Sequence, residues 1–397
     1  MRAKSKTPQI RFKGFSGEWE EKTLESISEE ISYGLTIRPQ FITDGIPLIS
    51  ARELKNGYID YKIAPRISKI DYDKLSEKAK GKKGDLFLTK TGTIGLSAYV
   101  SEDTPMAITQ NISFIRITNE IFNHQFILQT FKTKKFYNSA ISKVNQSTIM
   151  DLQLQDIRKL SIYFPDKLEQ INVSNYFQKL DKLIEQKEKK YQKLKQFKKA
   201  MLDKMFPKNG ADTPEIRFKG FSGKWEEKSL EEIVDRYDNL RIPISASNRI
   251  AGDTPYYGAN GIQDYVQGFT HDGEFILVAE DGANDLKNYP VQYVNGKIWV
   301  NNHAHVLQAK KDISSNKFLK YSISKINIEP FLVGGGRAKL NANIMMKINI
   351  YVPLLELQEQ EKIGNYFQKL DSQIDLQQKE LEKLKNIKKA SLAKMFV

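Results

Sequence analysis

The 397-residue sequence contains no cysteine, which excludes disulfides, thiolate metal centres and cysteine nucleophiles together. No uninterrupted apolar run approaches the roughly twenty residues of a membrane-spanning helix. The first residues, MRAKSKTPQIRFK, lack the apolar core of a signal peptide. These absences fit a cytoplasmic protein with no membrane association. Enzyme signatures are missing too. There is no G-x-x-x-x-G-K-[ST] phosphate loop and no G-x-G-x-x-G turn, so neither ATP nor a dinucleotide has a cradle here. The Asn/Asp-Pro-Pro-aromatic motif of amino-methyltransferases and the spaced carboxylates and lysine of nucleases are also absent. The sequence therefore offers no catalytic residue and no metal ligand set.

Positive charge, by contrast, is in excess. The net charge is +14 and the pI about 9.4, which points to an anionic partner, nucleic acid being the usual one. Residues 175–206 carry ten lysines against four acids, and 365–397 carry seven against four. Nine of the fourteen excess charges thus lie on two stretches with helical patterning.

Those stretches belong to an internal duplication. TPQIRFKGFSGEWEEKTLESI at 7–27 recurs as TPEIRFKGFSGKWEEKSLEEI at 213–233, identical at 17 of 21 positions. NYFQKLDKLIEQKEKKYQKLKQFKKAMLDKMF at 175–206 recurs at 365–396, identical at 19 of 32. Two copies are too few for a solenoid, and a pseudo-twofold particle is the better expectation. The repeated helices space their apolar residues as a coiled-coil seam: Phe177, Leu180, Ile184, Tyr191 and Leu194, matched by Phe367, Leu370, Ile374, Leu381 and Leu384. Lys187 and Gln377 interrupt it. Each helix is expected over about thirty residues, or roughly 45 Å. A twofold relation would make the pair antiparallel, with the remaining chain at opposite ends.

The regions between the repeats, about 28–164 and 234–352, read as mixed α/β. Strands are expected at Asp85–Thr89, Ile112–Ile117 and Leu160–Phe164, with Phe275–Val278, Ile298–Val300 and Ile348–Val352 as their counterparts. A helix is expected at about 123–142. The two regions are weakly alike: GDLFLTKTG at 84–92 parallels GEFILVAEDG at 273–282, and Tyr163-Phe164-Pro165 parallels Tyr351-Val352-Pro353. The expected class is α/β (α+β), two similar mixed domains separated by two long antiparallel coiled-coil helices. The expected boundaries are 1–166 and 211–353 for the domains, 167–210 for the central helix and linker, and 354–397 for the last helix.

Several ordered motifs resemble one family across nearly the whole chain. They are the front element P-x-I-R-F-x-G-F-x-x-x-W-E, the I-x-I-Y-[FV]-P exit, the N-Y-F-Q-K-L-D helix, YGANGIQDYV at 257–266 and ILVAEDGAN at 276–284. Together they resemble specificity subunits of Type I restriction-modification systems. The resemblance implies two target-recognition domains, each reading half of a bipartite asymmetric site on double-stranded DNA. It also implies helices that set the spacer and dock two methyltransferase subunits, with two motor-nuclease subunits joining for restriction. S-adenosylmethionine, ATP and magnesium would then bind to the partners and not to this chain.

Candidate DNA contacts follow from loops at strand ends. Lys90, Thr91 and Thr93 form a polar turn after a strand, suited to phosphates or base edges. An ordinary capped β-turn is the alternative. Glu280, Asp281 and Asn284 occupy the matching loop, where carboxylates repel phosphate but accept from cytosine N4. Counting back from Pro165 and Pro353 sets Gln146, Ser147 and Thr148 opposite a glycine run followed by Arg337 and Lys339, amide and guanidinium being the pairs for adenine and guanine. Gln110-Asn111 and Asn301-Asn302 form a further matched pair at strand ends, as turn amides or DNA contacts. His303 and His305 invite a metal reading, since alternate strand residues face one way. Their counterparts Asn111 and Ser113 are poor ligands, and no metal is expected. Two rival functions remain open at this point: a structural coiled-coil adaptor that reads no DNA, and a restriction enzyme with an unrecognised active site.

Overall fold

In a computed structural model the chain is described over residues 6–36, 39–55, 57–144, 149–208, 210–334, 338–353 and 356–397. It divides into two compact units. One is Met1–Lys187 with Glu380–Val397, the other Glu188–Lys379. The architecture is mixed α/β with two long helices, Lys167–Met205 and Leu357–Lys394. Among the described residues no helix is long and apolar enough to cross a membrane.

Each unit is built on the same frame. The duplicated W-E-E-K segment becomes a short strand that pairs antiparallel with the strand before the Pro exit. Glu20–Thr23 pairs with Ser161–Phe164 and Glu226–Ser229 with Asn349–Val352, in identical register. Beyond this pair, unit 1 has a sheet in the order Glu30–Tyr33, Ile112–Arg116, Leu86–Thr89, Ser97–Tyr99. A second sheet runs Arg66–Ile67, Ile46–Ile49, Met106–Ile108, Lys80–Gly81. In unit 2 one six-stranded sheet serves both purposes, in the order Val234–Arg236, Ala304–Ala309, His271–Ala279, Val291–Val300, Ala251–Gly258, Gly261–Val266. Its continuous strand Val291–Val300 pairs antiparallel on one side and parallel on the other. Unit 1 splits those tasks between Ser97–Tyr99 and Met106–Ile108. The sequence between them, Ser101-Glu102-Asp103-Thr104-Pro105, is turn-forming and ends in a proline that cannot donate to a ladder.

Two expectations are corrected. The counterpart of Ile112–Arg116 is Ala304–Ala309, because each lies beside the strand that carries the matched Gly turn. Ile298–Val300 instead corresponds to Met106–Ile108. The single helix at 123–142 is two helices, His124–Phe131 and Lys134–Ile141. The break is chemical: the Thr133 side chain accepts from the Phe136 amide and caps the second helix.

The long helices reach further than the repeat suggested, 39 and 38 residues, or roughly 57 Å. The extra first turns are buried against their own domains: Glu169, Gln170, Val173 and Ser174 in unit 1, and Glu359, Gln360 and Ile363 in unit 2. Within each unit the helical segments run antiparallel. Tyr176 meets Ser391, and Asp181 pairs with Lys388, in unit 1. Tyr191 meets Gln378, and Lys198 pairs with Asp371, in unit 2. Phe177, Leu180, Phe367, Leu370 and Leu381 are buried along this seam, while Ile184, Tyr191, Leu194, Ile374 and Leu384 are half-buried. Lys187 takes a seam position and pairs with Glu380.

The aromatic cores repeat as well. In unit 1, Trp19 packs edge-on against Phe126 and Phe396. In unit 2, Trp225 does the same against Phe318 and Phe206. The two tryptophans are among the most buried side chains, at 1% and 2% exposure. A bidentate ion pair ties each front element to the adjoining helix start. Arg11 Nε and Nη2 donate to Glu169 at 2.7 and 2.6 Å, and Arg217 donates to Glu359 at 2.6 and 2.7 Å.

Candidate functional site

The matched Gly turns stand at the same point of the two sheets. In unit 1 the Lys90 amide donates to the Asn111 carbonyl, and the Lys90 carbonyl accepts from the Leu152 amide at 2.7 Å. In unit 2 the Glu280 amide donates to the His303 carbonyl, and the Glu280 carbonyl accepts from the Leu340 amide at 2.7 Å. Three chain segments therefore converge on each turn: the strand end, the turn before the next strand, and the segment fourteen residues before the exit proline.

In unit 1 the Lys90 side chain, 11% exposed, lies over the Tyr33 ring and donates to Asp151 at 2.8 Å. Thr91 Oγ1 donates to the same carboxylate at 2.5 Å, and the Gln153 amide to its other oxygen. Burial alone would raise the Asp151 carboxyl. The bonds from Lys90 and Thr91 outweigh it and hold the group below the usual carboxylate range. Gly92, at φ +76°, makes the turn, its amide donating to the Met150 carbonyl. Thr93 and Gln110 are exposed and Asn111 is half-buried, with Thr109 donating to its side chain. Gln146, Ser147 and Thr148 lie outside the described residues.

In unit 2 the equivalent position carries a denser network. Glu280, 8% exposed, accepts from Arg241 at 2.6 Å and pairs with Lys339 at 2.7 Å. Arg241 also donates to the Ala304 carbonyl. Next to it His305 is buried, its Nδ1 2.7 Å from Asp238 and its Nε2 2.8 Å from the Leu340 carbonyl. Both ring nitrogens thus lie within hydrogen-bond distance of an oxygen. Burial would raise the carboxyls of Asp238 and Glu280. His305 at the first, and Lys339 and Arg241 at the second, outweigh burial and lower both. Asp281 contacts His303 Nδ1 at 2.5 Å. Asn301 is buried and its side chain accepts from the His303 amide, while Asn284 and Asn302 are exposed. Arg337 lies outside the described residues.

The metal reading can be tested directly. His303 and His305 serve different carboxylates and share no ligand position. A different trio, Asp238, Glu280 and His305, brings donor atoms within 4.8 Å of one another. Arg241 and Lys339 already occupy Glu280, and Arg241 stands 3.6 Å from Asp238. The negative charge that would attract a cation is met by these side chains, and the cluster is a filled charge network.

Sequence reasoning missed Asp151, Tyr33, Asp238 and Arg241. For Asp151 a signal existed: counted back from Pro165 and Pro353 it stands opposite Lys339, just as Lys90 stands opposite Glu280. Charges of opposite sign at both members of an aligned pair are the mark of a bridge whose polarity has inverted. Asp238 and Arg241 had no such signal, because they lie in an irregular segment and meet Glu280 and His305 only in the folded state.

One mixed α/β domain built twice, closed each time by the ends of two long antiparallel helices, defines a duplicated protein with two differently lined loop faces. The fold is similar to that of the Type-I restriction-modification system S subunit from M. genitalium, with a TM-score of 0.70 over 98% of this chain and 99% of that one, at 17% identity. Residues 16–196 and 222–386 match the family described as the type I restriction modification DNA specificity domain, and the chain belongs to that family. Among its relatives is a protein of Haemophilus influenzae named as a type I restriction enzyme specificity subunit. It is 44% identical over 151 residues, a stretch that spans 38% of each chain. A Methanocaldococcus jannaschii protein named as the MjaX specificity subunit is 23% identical over 94% of this chain and 91% of its own length.

Proposed function

We propose that each unit reads one half of a bipartite, asymmetric target on duplex DNA, that the long helices set the spacer, and that they dock two methyltransferase subunits. Two motor-nuclease subunits join for restriction in the cytoplasm. The chain itself is non-catalytic on this reading, and S-adenosylmethionine, ATP and magnesium belong to the partners. The observation that carries it is the pairing of constancy and change. The front strands, the Arg–Glu clasps and the aromatic cores are the same in both units. The loops at one fixed point of the sheet differ in charge, with Lys90–Asp151 in one and Glu280–Lys339 in the other. A frame held constant under two unlike surfaces is what reading two unlike half-sites requires. Long-read mapping of methylated adenines in cells carrying this chain and its methyltransferase partner tests the reading. Two fixed half-sites at a fixed spacing are expected; methylation at a single continuous site, or at none, overturns it.

A further inference from the structure

In unit 2 the connection between the strands His271–Ala279 and Val291–Val300 borders an open recess of about 590 Å³. Its lining is mostly polar, with Asn260, Asn284, Asp285, Asn288 and Gln292 among the residues that face it. Most of these groups are committed to holding the loop. Asn260 Nδ2 donates to the Gly282 carbonyl at 2.9 Å and its Oδ1 accepts from the Asn284 amide at 3.0 Å. Asp285 accepts from the backbone amides of Lys287 and Asn288 and from the Asn288 side chain. The Tyr289 hydroxyl donates to the Ala279 carbonyl.

Two side chains are left over. The amides of Asn284 and Gln292 have no hydrogen-bond partner among the described residues. Asn284 is exposed on the loop, whereas Gln292 is half-buried on a strand. A strand-borne side chain is held more firmly than one on a loop. Opposite it stands Gly261, where a Cβ would lie 3.5 Å from Gln292 Oε1, so the glycine leaves that oxygen open.

A primary amide sets one donor beside one acceptor. The major-groove edge of adenine answers with the N7 acceptor beside the N6 amino donor, while guanine offers two acceptors. Phosphate fits poorly. Among the described residues, the one charged residue lining the recess is Asp285, whose carboxylate repels phosphate. We propose that this recess receives the major-groove edge of an adenine in the second half-site, that Gln292 makes the bidentate pair, and that Asn284 supplements it. Asn260 and Asp285 are positioning residues. In unit 1 the corresponding connection, from Lys90 to Leu96, is seven residues long against eleven in unit 2, so the device belongs to unit 2.

The inference rests on the proposed function, and the test separates the two. The complex of the full chain with its methyltransferase partner is measured on target duplexes in which each adenine of the second half-site is replaced in turn by 7-deazaadenine, which lacks the N7 acceptor. At one position the parent complex should lose about 5-fold or somewhat more in affinity. That is towards the lower end of the roughly 5- to 140-fold range of a whole bidentate pair, since the N6 amino group still donates to Gln292 Oε1. The Gln292→Ala complex should start weaker by at least that factor and be indifferent to the deaza base at that position alone. Gln292→Met keeps the side-chain length without the amide and should behave like the alanine variant, with the first half-site unchanged in both. If Gln292→Ala or Gln292→Met binds as tightly as the parent, or remains sensitive to every deaza substitution, the adenine reading is wrong. A parent complex without two half-sites would fail the proposed function instead.

Discussion

Lys90 and Glu280 hold the same backbone position in the two units with opposite charge, and each is bridged to the residue fourteen places before its exit proline. Lys90 reaches Asp151 at 2.8 Å and Glu280 reaches Lys339 at 2.7 Å. The bridge is therefore a property of the frame, and its polarity a property of each unit. A bridge can invert only if both partners change, since either change alone leaves like charges facing across a partly buried gap.

This predicts strong coupling between the two positions. Lys90→Asp alone, or Asp151→Lys alone, should each destabilise the protein by about 1–3 kcal/mol, because a group with little access to water loses its partner. The double exchange restores an opposite pair with the polarity of unit 2 and should recover more than half of the summed loss. Denaturant melts of the four proteins check it. Additive losses would show that the two side chains do not act as a bridge.

The assembled complex should bind DNA in a salt-dependent way. If about six phosphates are neutralised, log K falls against log salt with a slope of roughly −5. Titrations at four or five salt concentrations give the slope, and a flat response would count against DNA reading.

The sequence was most legible where the chain repeats itself. The I-Y-[FV]-P motif marked a strand in each unit, and the structure pairs it with the repeated front element, which the sequence had marked only as a repeat. The apolar spacing marked a seam whose positions are all buried or half-buried. Elements set by single side chains were harder. Between Phe126 and Ala140 the longest polar interruption is Lys132-Thr133-Lys134-Lys135, and the Thr133 cap reveals that two helices share the segment. Ile298–Val300 was matched to the wrong strand because unit 2 fuses two strands that Pro105 keeps apart in unit 1. The charge network is the extreme case. Arg241 and Glu280 are 39 residues apart, and nothing local to either announces the other.

The two Arg–Glu clasps should be energetically interchangeable. Each joins a front element to a glutamate that is fully buried, with side-chain exposure of 1% for Glu169 and 0% for Glu359. Each guanidinium also donates to a loop carbonyl, Gly17 or Gly223, at 2.6 Å. Arg11→Ala and Arg217→Ala each strand a buried carboxylate, so each should cost about 3–5 kcal/mol. Replacing Glu169 by glutamine in the Arg11→Ala background removes the stranded charge and should return part of the loss. Unfolding followed separately in each unit, by hydrogen exchange of Trp19 and Trp225 backbone amides, checks the equivalence; a loss confined to one clasp would show that the front elements are not doing the same work.

Lys132 offers the opposite case, a charge the fold would hold more easily without. It is half of a crowded arrangement in unit 1: the Asp181 carboxylate pairs with Lys388 at 2.5 Å and also faces Lys132 at 3.7 Å. Burial pushes the Lys132 ammonium down to about 8. Asp181 opposes that shift and Lys388 adds to it. A lysine whose folded pKa lies below its unfolded value binds its proton more weakly in the folded state. Its penalty is therefore complete below about pH 8, shrinks as the pH climbs towards the unfolded value, and vanishes above it. Lys132→Met retains most of the apolar stem and leaves Asp181 with Lys388. It should stabilise the protein at neutral pH by about 1–3 kcal/mol. The gain should fade between about pH 8 and pH 10.5, because over that range the parent sheds the same cost by deprotonating. Denaturant midpoints of parent and variant at several pH values between 7 and 10.5 measure the difference. A gain that stays constant with pH would assign it to packing, and a loss at neutral pH would show that the Asp181 contact outweighs the burial of the second ammonium.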